Sequence, residues 1–284
     1  MHDFNKQVIR ARFNQAAKTY ELTAELSHEM AQRLLEHLDW MRLNPERIVD
    51  LGAGTGYVTQ LLEERYPQAQ IFSVDFAQAM LQQHRTLSNK ESARICADAE
   101  HIPFADESID LVVSDLMLPW CQDIRKIFAE IWRVLKGNGI LLFSTLGPDT
   151  LGELRASWAT ADDEPHVHAF FDLHDVGDML LQQKFLEPVM QAEWITWMYT
   201  SAKALFADLK NLGAVNVLTG RRLTLTGKKR FQQFLAEYQT YQNEVGKLPA
   251  TFEVIYGHCW KPMQTVNEVG EIIISTAIPV KNRR

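Results

Sequence analysis

Ten residues constrain this chain more than any others: Ile48-Val49-Asp50-Leu51-Gly52-Ala53-Gly54-Thr55-Gly56-Tyr57. Apolar Ile48 and Val49 end a buried strand, an acid follows, three glycines alternate with small residues, and a helix resumes at Val58. Such glycines let the backbone turn tightly and approach a ligand that a Cβ would exclude. Dinucleotide-binding turns space their glycines G-x-G-x-x-G, because a pyrophosphate sits on the helix N-terminus. Here the third glycine comes one residue early, and Asp50 stands where a phosphate would approach. A carboxylate repels pyrophosphate and attracts an ammonium group. The turn therefore favours a ligand that is cationic at this end, as S-adenosylmethionine (SAM) is.

Beyond the turn the pattern alternates strand and helix, which predicts a parallel sheet covered on both faces. Strands are expected at 47–51, 70–75, 93–97, 111–115 and 139–145, with helices at 58–66, 77–87 and 124–135. Lys136-Gly137-Asn138-Gly139 reads as the turn into the fifth strand. Two amphipathic helices precede this core. Val8, Ile9, Phe13, Ala16 and Ala17 share one face, and Leu22, Leu26, Met30, Leu34 and Leu38 recur every four residues in the other. In the second half, Asp149 is expected to cap a short helix, and 174–184 to form another. A strand near 193–199, a mainly helical block at 201–245 and a last strand at 251–260 complete the reading. The predicted class is α/β: a doubly wound, mostly parallel seven-stranded sheet with N-terminal helices and a helical insertion before the last strand. It reads as one domain over 1–284, divided into a helical extension (1–43), a cofactor-binding core (44–147) and a substrate-side half (148–284) whose insertion spans about 201–248.

Composition narrows the classes of function. The 46% hydrophobic content supports a packed core, and the net charge of −7 gives no general reason for nucleic-acid binding. Cys96, Cys121 and Cys259 are far apart, which speaks against a zinc site or a disulfide framework and fits a reducing cytoplasm. No apolar run approaches the roughly 20 residues of a membrane span. His166, His168, Asp172, His174 and Asp175 cluster within ten residues, but their spacing matches no helical zinc motif, so the reading assigns no metal.

Three acids are expected at consecutive strand ends, where doubly wound sheets bind ligands. Asp50 follows the first strand. Asp75, closing the second, can accept both ribose hydroxyls. Asp98, after the third, can receive the amino group of adenine, with Phe76 and Ala99 enclosing the ring. With Gly52, Gly54 and Gly56 these form the predicted cofactor site.

These motifs, together with Trp132-Arg133-Val134-Leu135-Lys136-Gly137-Asn138-Gly139, resemble those of class I SAM-dependent methyltransferases over about residues 45–147. An NAD-binding protein is the alternative. Further segments resemble the malonyl-[acyl-carrier protein] O-methyltransferases of biotin synthesis: Arg12 to Tyr20, Leu118-Pro119-Trp120-Cys121, Ser144 to Leu151, Asp162 to His168, Asp208 to Ala214, Gly220-Arg221-Arg222 and Pro249 to His258. That likeness runs over about residues 5–262. It departs at Pro119, where glutamine is expected.

The resemblance implies methyl transfer from SAM to the free carboxyl of a malonyl thioester on acyl carrier protein (ACP). A SAM-dependent methyltransferase of a small acid or quinone precursor, or a SAM-binding regulator without turnover, are the alternatives. No catalytic acid or base is assigned, because a carboxylate is ionised near pH 7. Arg155, Arg221 and Arg222, then Lys210 and His168, are candidates to hold the malonyl carboxylate, against the alternative that each is a solvated surface group. Tyr20 stands where related enzymes place a residue folding over bound SAM; a core aromatic is the other reading. The run from Arg221 to Arg230, with Arg222, Lys228 and Lys229, holds five cations and no acid. It is a candidate docking surface for the acidic carrier, or a solvated helix start.

Overall fold

A computed structural model describes residues 4–84, 93–222, 224–266 and 272–275. In chain order the elements are α1 (Lys6–Ala16), α2 (Glu25–Glu36), β1 (Arg47–Leu51), α3 (Tyr57–Arg65), β2 (Gln70–Asp75), α4 (Gln78–Gln83), β3 (Ala93–Cys96), β4 (Ile109–Ser114), α5 (Ile124–Val134) and β5 (Leu135–Leu146). They continue with α6 (Gly152–Ala159), α7 (Leu173–Gln182), β6 (Leu186–Tyr199), α8 (Ala202–Asn211), α9 (Lys228–Tyr238), β7 (Leu248–Trp260), β8 (Met263–Val266) and β9 (Ile272–Ser275).

Seven strands form one sheet in the order β3-β2-β1-β4-β5-β7-β6. The first five pair in parallel, and β7 lies antiparallel between β5 and β6. Strand faces alternate, and this sorts the apolar side chains into two cores. Ile48, Leu111, Val113, Ile140 and Leu142 pack with α2 and α3 on one side. Val49, Leu51, Val112, Leu141 and Phe143 pack with α5 and α7 on the other. Strand order reverses between β1 and β4, so ligands are expected beyond the C-terminal ends of those two strands.

The predicted strand–helix order stands, with local differences. Leu22 does not join the buried stripe of α2: it is 74% exposed in a 3-10 turn, because α2 starts only at Glu25. Helix α4 ends at Gln83, and the predicted end at Leu87 lies outside the described residues. Residues 136–139 make an excursion within β5, where pairing jumps from Ile109↔Leu135 to Leu111↔Ile140 and Asn138 takes a φ of 64°. Asp149 does not cap α6. Leu151, at φ 53°, precedes that helix, while the Asp149 carboxylate accepts a hydrogen bond from the Trp194 indole at 3.1 Å. Among its described residues the 201–245 block is helical only in α8, α9 and the 3-10 turn Gln239–Tyr241; between α8 and α9 Gly213 turns at φ 73° and Leu218 bridges to Phe4. The strand at 251–260 starts earlier, at Leu248, and is followed by the β8–β9 hairpin.

Candidate functional site

The glycine turn has the backbone its sequence demands: Gly52, Gly54 and Gly56 take φ values of 86°, 54° and 95°. A Cβ on Gly52 would stand 2.5 Å from that of Met117, so the bare backbone is what lets β1 and β4 close together here. Beside the turn opens a cavity of about 370 Å³. Gly52, Gly54, Asp75, Phe76, Asp98, Ala99 and Tyr20 all line it, so folding gathers most of the predicted cofactor residues around one space.

Asp75 closes β2 with its two oxygens pinned, accepting Gly54 N–H at 2.9 Å and Ala77 N–H at 2.7 Å. Burial raises its carboxyl pKa, and these two bonds oppose the rise. Each oxygen keeps acceptor capacity toward the cavity. Asp98 accepts the Glu100 amide at 3.0 Å and pairs with the Lys6 ammonium of α1 at 2.8 Å. Although partial burial opposes ionisation, these partners hold its carboxyl below the usual range. Phe76, Met80, Ala97 and Ala99 supply an apolar wall beside the acids. Two acids and an apolar wall, beside a turn where Gly52 leaves no room for a Cβ, suit an adenosine.

Asp50 and Gly56 are placed differently. Asp50 shares the sheet face of Ile48, so its carboxyl points beneath the turn toward α3 and accepts the Thr59 hydroxyl at 2.5 Å. Burial pushes its pKa up to about 7, against the bond from Thr59. It does not line the cavity, and the expected direct attraction of an ammonium is not what this carboxyl is placed for. Gly56, also away from the cavity wall, makes room for the His84 ring, whose atoms lie 2.5 Å from an added Cβ.

The acid that does face the cavity there is Asp115, just beyond β4. It accepts the Ser144 hydroxyl at 2.6 Å, and the same Ser144 oxygen accepts Leu116 N–H at 2.9 Å. Burial raises its pKa to about 7. Sequence reasoning passed it over, although it repeats the signal that marked the other three: an acid at a strand end.

From Asp115 the cavity continues into an apolar arm walled by Leu26 and Met30 of α2, Trp197 and Tyr199 of β6, Leu209 and Leu212 at α8, and Phe252 of β7. Trp120 lines the junction and packs edge-on against Phe13 at 5.2 Å. Pro119 stands in the first turn of the 3-10 segment Leu118–Trp120, where its missing N–H costs no bond. Tyr20 faces the cavity beside Ser27, to which its hydroxyl bonds, and burial raises its pKa to about 12.

None of the five predicted carboxylate-holding residues lines this space. Arg155 spends its guanidinium on the carbonyls of Pro148, Thr150 and His168 at 2.8–3.3 Å, which fixes the loop after β5. Arg221 donates to Leu218 O at 2.8 Å, and Arg222 pairs with Glu164 at 3.2 Å. Lys210 is exposed on the outer side of α8. His168 is buried behind Trp120 and accepts Val217 N–H at 3.3 Å. The reason is common to all five: sequence shows a cation but not the direction its side chain takes. Among the described residues, no group of three or more His, Cys, Asp or Glu side chains is arranged to hold a metal ion. His166 instead stacks on Trp158 at 3.9 Å and bonds Asp162, and Asp172 caps α7. No described helix is long and apolar enough to cross a membrane.

Comparison with known proteins agrees with this architecture. A methyltransferase-domain family model matches residues 49–143. The crystal structure of a Bacillus halodurans protein assigned as a methyltransferase superposes with a TM-score of 0.58 at 18% identity, covering 82% of this chain and 99% of that one. Among curated proteins, the malonyl-[acyl-carrier protein] O-methyltransferase of Gallionella capsiferriformans is 42% identical over 99% of this chain and 100% of its own length. Malonyl-[acyl-carrier protein] O-methyltransferase 1 of Coxiella burnetii is 44% identical over 90% of this chain and 88% of its own. Identity at that level over the full length, on a class I methyltransferase fold, means that the chain belongs to the malonyl-[acyl-carrier protein] O-methyltransferase family.

Proposed function

We propose that this protein transfers a methyl group from SAM to the free carboxylate of malonyl-ACP, giving the methyl ester used in biotin synthesis. The observation that carries this reading is the single cavity joining the glycine turn to the apolar arm, on a chain so similar to proteins of that name. SAM, when bound, supplies an electrophilic methyl group on a positively charged sulfur. Asp75 takes the ribose hydroxyls. Asp98, with Phe76 and Ala99, takes the adenine, while Gly52 and Gly54 let the backbone come close. Tyr20 closes over the cofactor from the segment between α1 and α2. The acceptor carboxylate needs no general base, so the chain contributes alignment and the exclusion of water. Trp120, Trp197, Leu209 and Phe252 supply the dry wall.

The carrier docks on the basic run. Lys228, Lys229 and Arg230 stand exposed in the first turn of α9, whose N-cap Gly227 offers no side-chain bond. Arg230 approaches Asp162 at 4.0 Å, but Lys228 and Lys229 oppose the helix dipole at this N-terminus, so helix stability does not account for them; an acidic partner does. Arg221 and Arg222, held to Leu218 and Glu164, lie behind them. An acyl carrier partner fits a cytoplasmic protein. Reversing Lys228, Lys229 and Arg230 to Glu is expected to raise the KM for malonyl-ACP about tenfold at low salt, with a smaller effect as salt rises. The KM for malonyl-CoA should not move. An unchanged, salt-independent KM for malonyl-ACP would dismiss this docking surface.

A further inference from the structure

Acids line the cavity from end to end. Asp75, Asp98, Glu100 and Asp115 surround the cofactor half, and Glu25 and Asp208 stand along the acceptor arm. Among the described residues lining the cavity, Lys6 is the one Lys or Arg side chain. Its ammonium is engaged at 2.8 Å with both Asp98 and Glu100, at the adenine end. The polar side chains nearer the arm that can donate to a carboxylate are neutral, among them Thr23, whose buried hydroxyl has no partner, Tyr20 and Ser27, bonded to each other, and Tyr199, bonded to Asp208. A substrate carboxylate entering this space meets a wall that stays net negative with Lys6 counted and Asp115 partly protonated near neutral pH.

We infer that no described residue supplies a cation to the acceptor carboxylate: neutral hydroxyls orient it, and its counter-charge is the positive sulfur of the bound cofactor. This rests on the reading above that the acceptor is malonyl-ACP. Two consequences follow from the charges. The negative wall favours a cationic cofactor and disfavours the acceptor until that cofactor is in place, so binding is ordered. A guanidinium fixed on the nucleophile would draw off the charge that must reach the methyl carbon; hydroxyl donors leave it available. Transfer joins a carboxylate oxygen to the methyl carbon while sulfur keeps the electron pair of the broken bond. No proton moves, and both charges vanish together. The ester product and the neutral thioether then have no electrostatic hold on each other, which favours release.

The test is calorimetry on the intact protein with malonyl-ACP and holo-ACP. Each carrier is titrated with saturating adenosylhomocysteine, which has a neutral sulfur, and with sinefungin, in which a carbon bearing an ammonium group replaces the methylsulfonium. The readout is the gain in affinity of malonyl-ACP over holo-ACP, which removes the contribution of carrier docking. The expected gain is at least about tenfold with sinefungin and within about twofold with adenosylhomocysteine. An equal gain with both ligands would overturn the inference, because some protein cation would then be holding the carboxylate. So would loss of the sinefungin gain in Arg155→Gln, Arg221→Gln or Arg222→Gln with sinefungin affinity intact. Failure of the underlying reading looks different: malonyl-ACP would acquire no methyl group from SAM in a parallel incubation.

Discussion

Asp115 is a carboxyl in a place that suits it poorly: it faces a cavity of acids and, among the described residues, has the Ser144 hydroxyl as its side-chain donor. Its pKa of about 7, raised by burial, means that the folded chain keeps a proton that the unfolded chain has already lost. The resulting stability is present in full below about pH 4 and is lost as pH rises to about 7. Asp115→Asn, which removes the titration and keeps the Ser144 bond, should therefore raise the Tm of the cofactor-free protein by about 2–4 °C near pH 8. The difference should shrink toward pH 5, and thermal melts across this range check it; a difference independent of pH would count against the buried-carboxyl account.

Arg155 gives the opposite kind of test, because its bonds to three carbonyls make it part of the scaffold. Arg155→Gln should lower stability by about 1–2 kcal/mol in urea unfolding while the KM for malonyl-ACP stays near normal. A raised KM at unchanged stability would restore it as a substrate contact. At this scale the sequence was legible where backbone chemistry decides, as at Gly52, Gly54 and Asp75. It was not legible where a long side chain chooses between cavity and scaffold, as at Arg155 and Arg222.

Elements were read best where a single periodicity persists. Helix α5 buries Ile124, Ile127, Phe128, Ile131 and Val134 at helical spacing and begins at the Asp123 cap. Strands β1 and β4 are marked by the adjacent apolar residues Ile48-Val49 and Leu111-Val112-Val113, because both of their faces are covered. The α6 start was misread since Asp149 bonds Trp194, a partner 45 residues away that no local pattern reveals. The stretch between α8 and α9 was misread because Gly213 takes a left-handed turn against Phe13 and Ala16 of α1, a tertiary packing event. Helix α9 itself is anchored by Phe234, wholly buried and stacked on Trp158 of α6 at 4.2 Å. Phe234→Ala should cost about 3–5 kcal/mol, seen as a lower urea midpoint. A cost below about 1 kcal/mol would mean that α9 is not locked to α6 through this ring.

On the scale of the whole molecule, sheet topology is what turns scattered strand-end residues into one site. Asp75, Asp98 and Asp115 come from three separate crossovers and meet because strand order reverses beside β1. The sequence announced that convergence through its strand–helix alternation. It did not announce the apolar arm, which is assembled from α2, β6, α8 and β7, elements with no shared motif. The cavity is also enclosed on one side by α1, through Phe13 and Lys6 and through Asn14, which accepts the Ala79 amide at 2.8 Å. A cofactor and an acceptor bound there would share one enclosed space, the condition that direct methyl transfer to a carboxylate requires.

The measurement that tests this most directly is the fate of a labelled methyl group when the protein is incubated with methyl-labelled SAM and malonyl-ACP, with holo-ACP as control. The account predicts one labelled methyl per malonyl-ACP, carried as an ester on the malonyl carboxyl and released by mild alkali, and none on holo-ACP. A malonyl-ACP that remains unlabelled under conditions where SAM binds, or label that appears on holo-ACP as well, would contradict it.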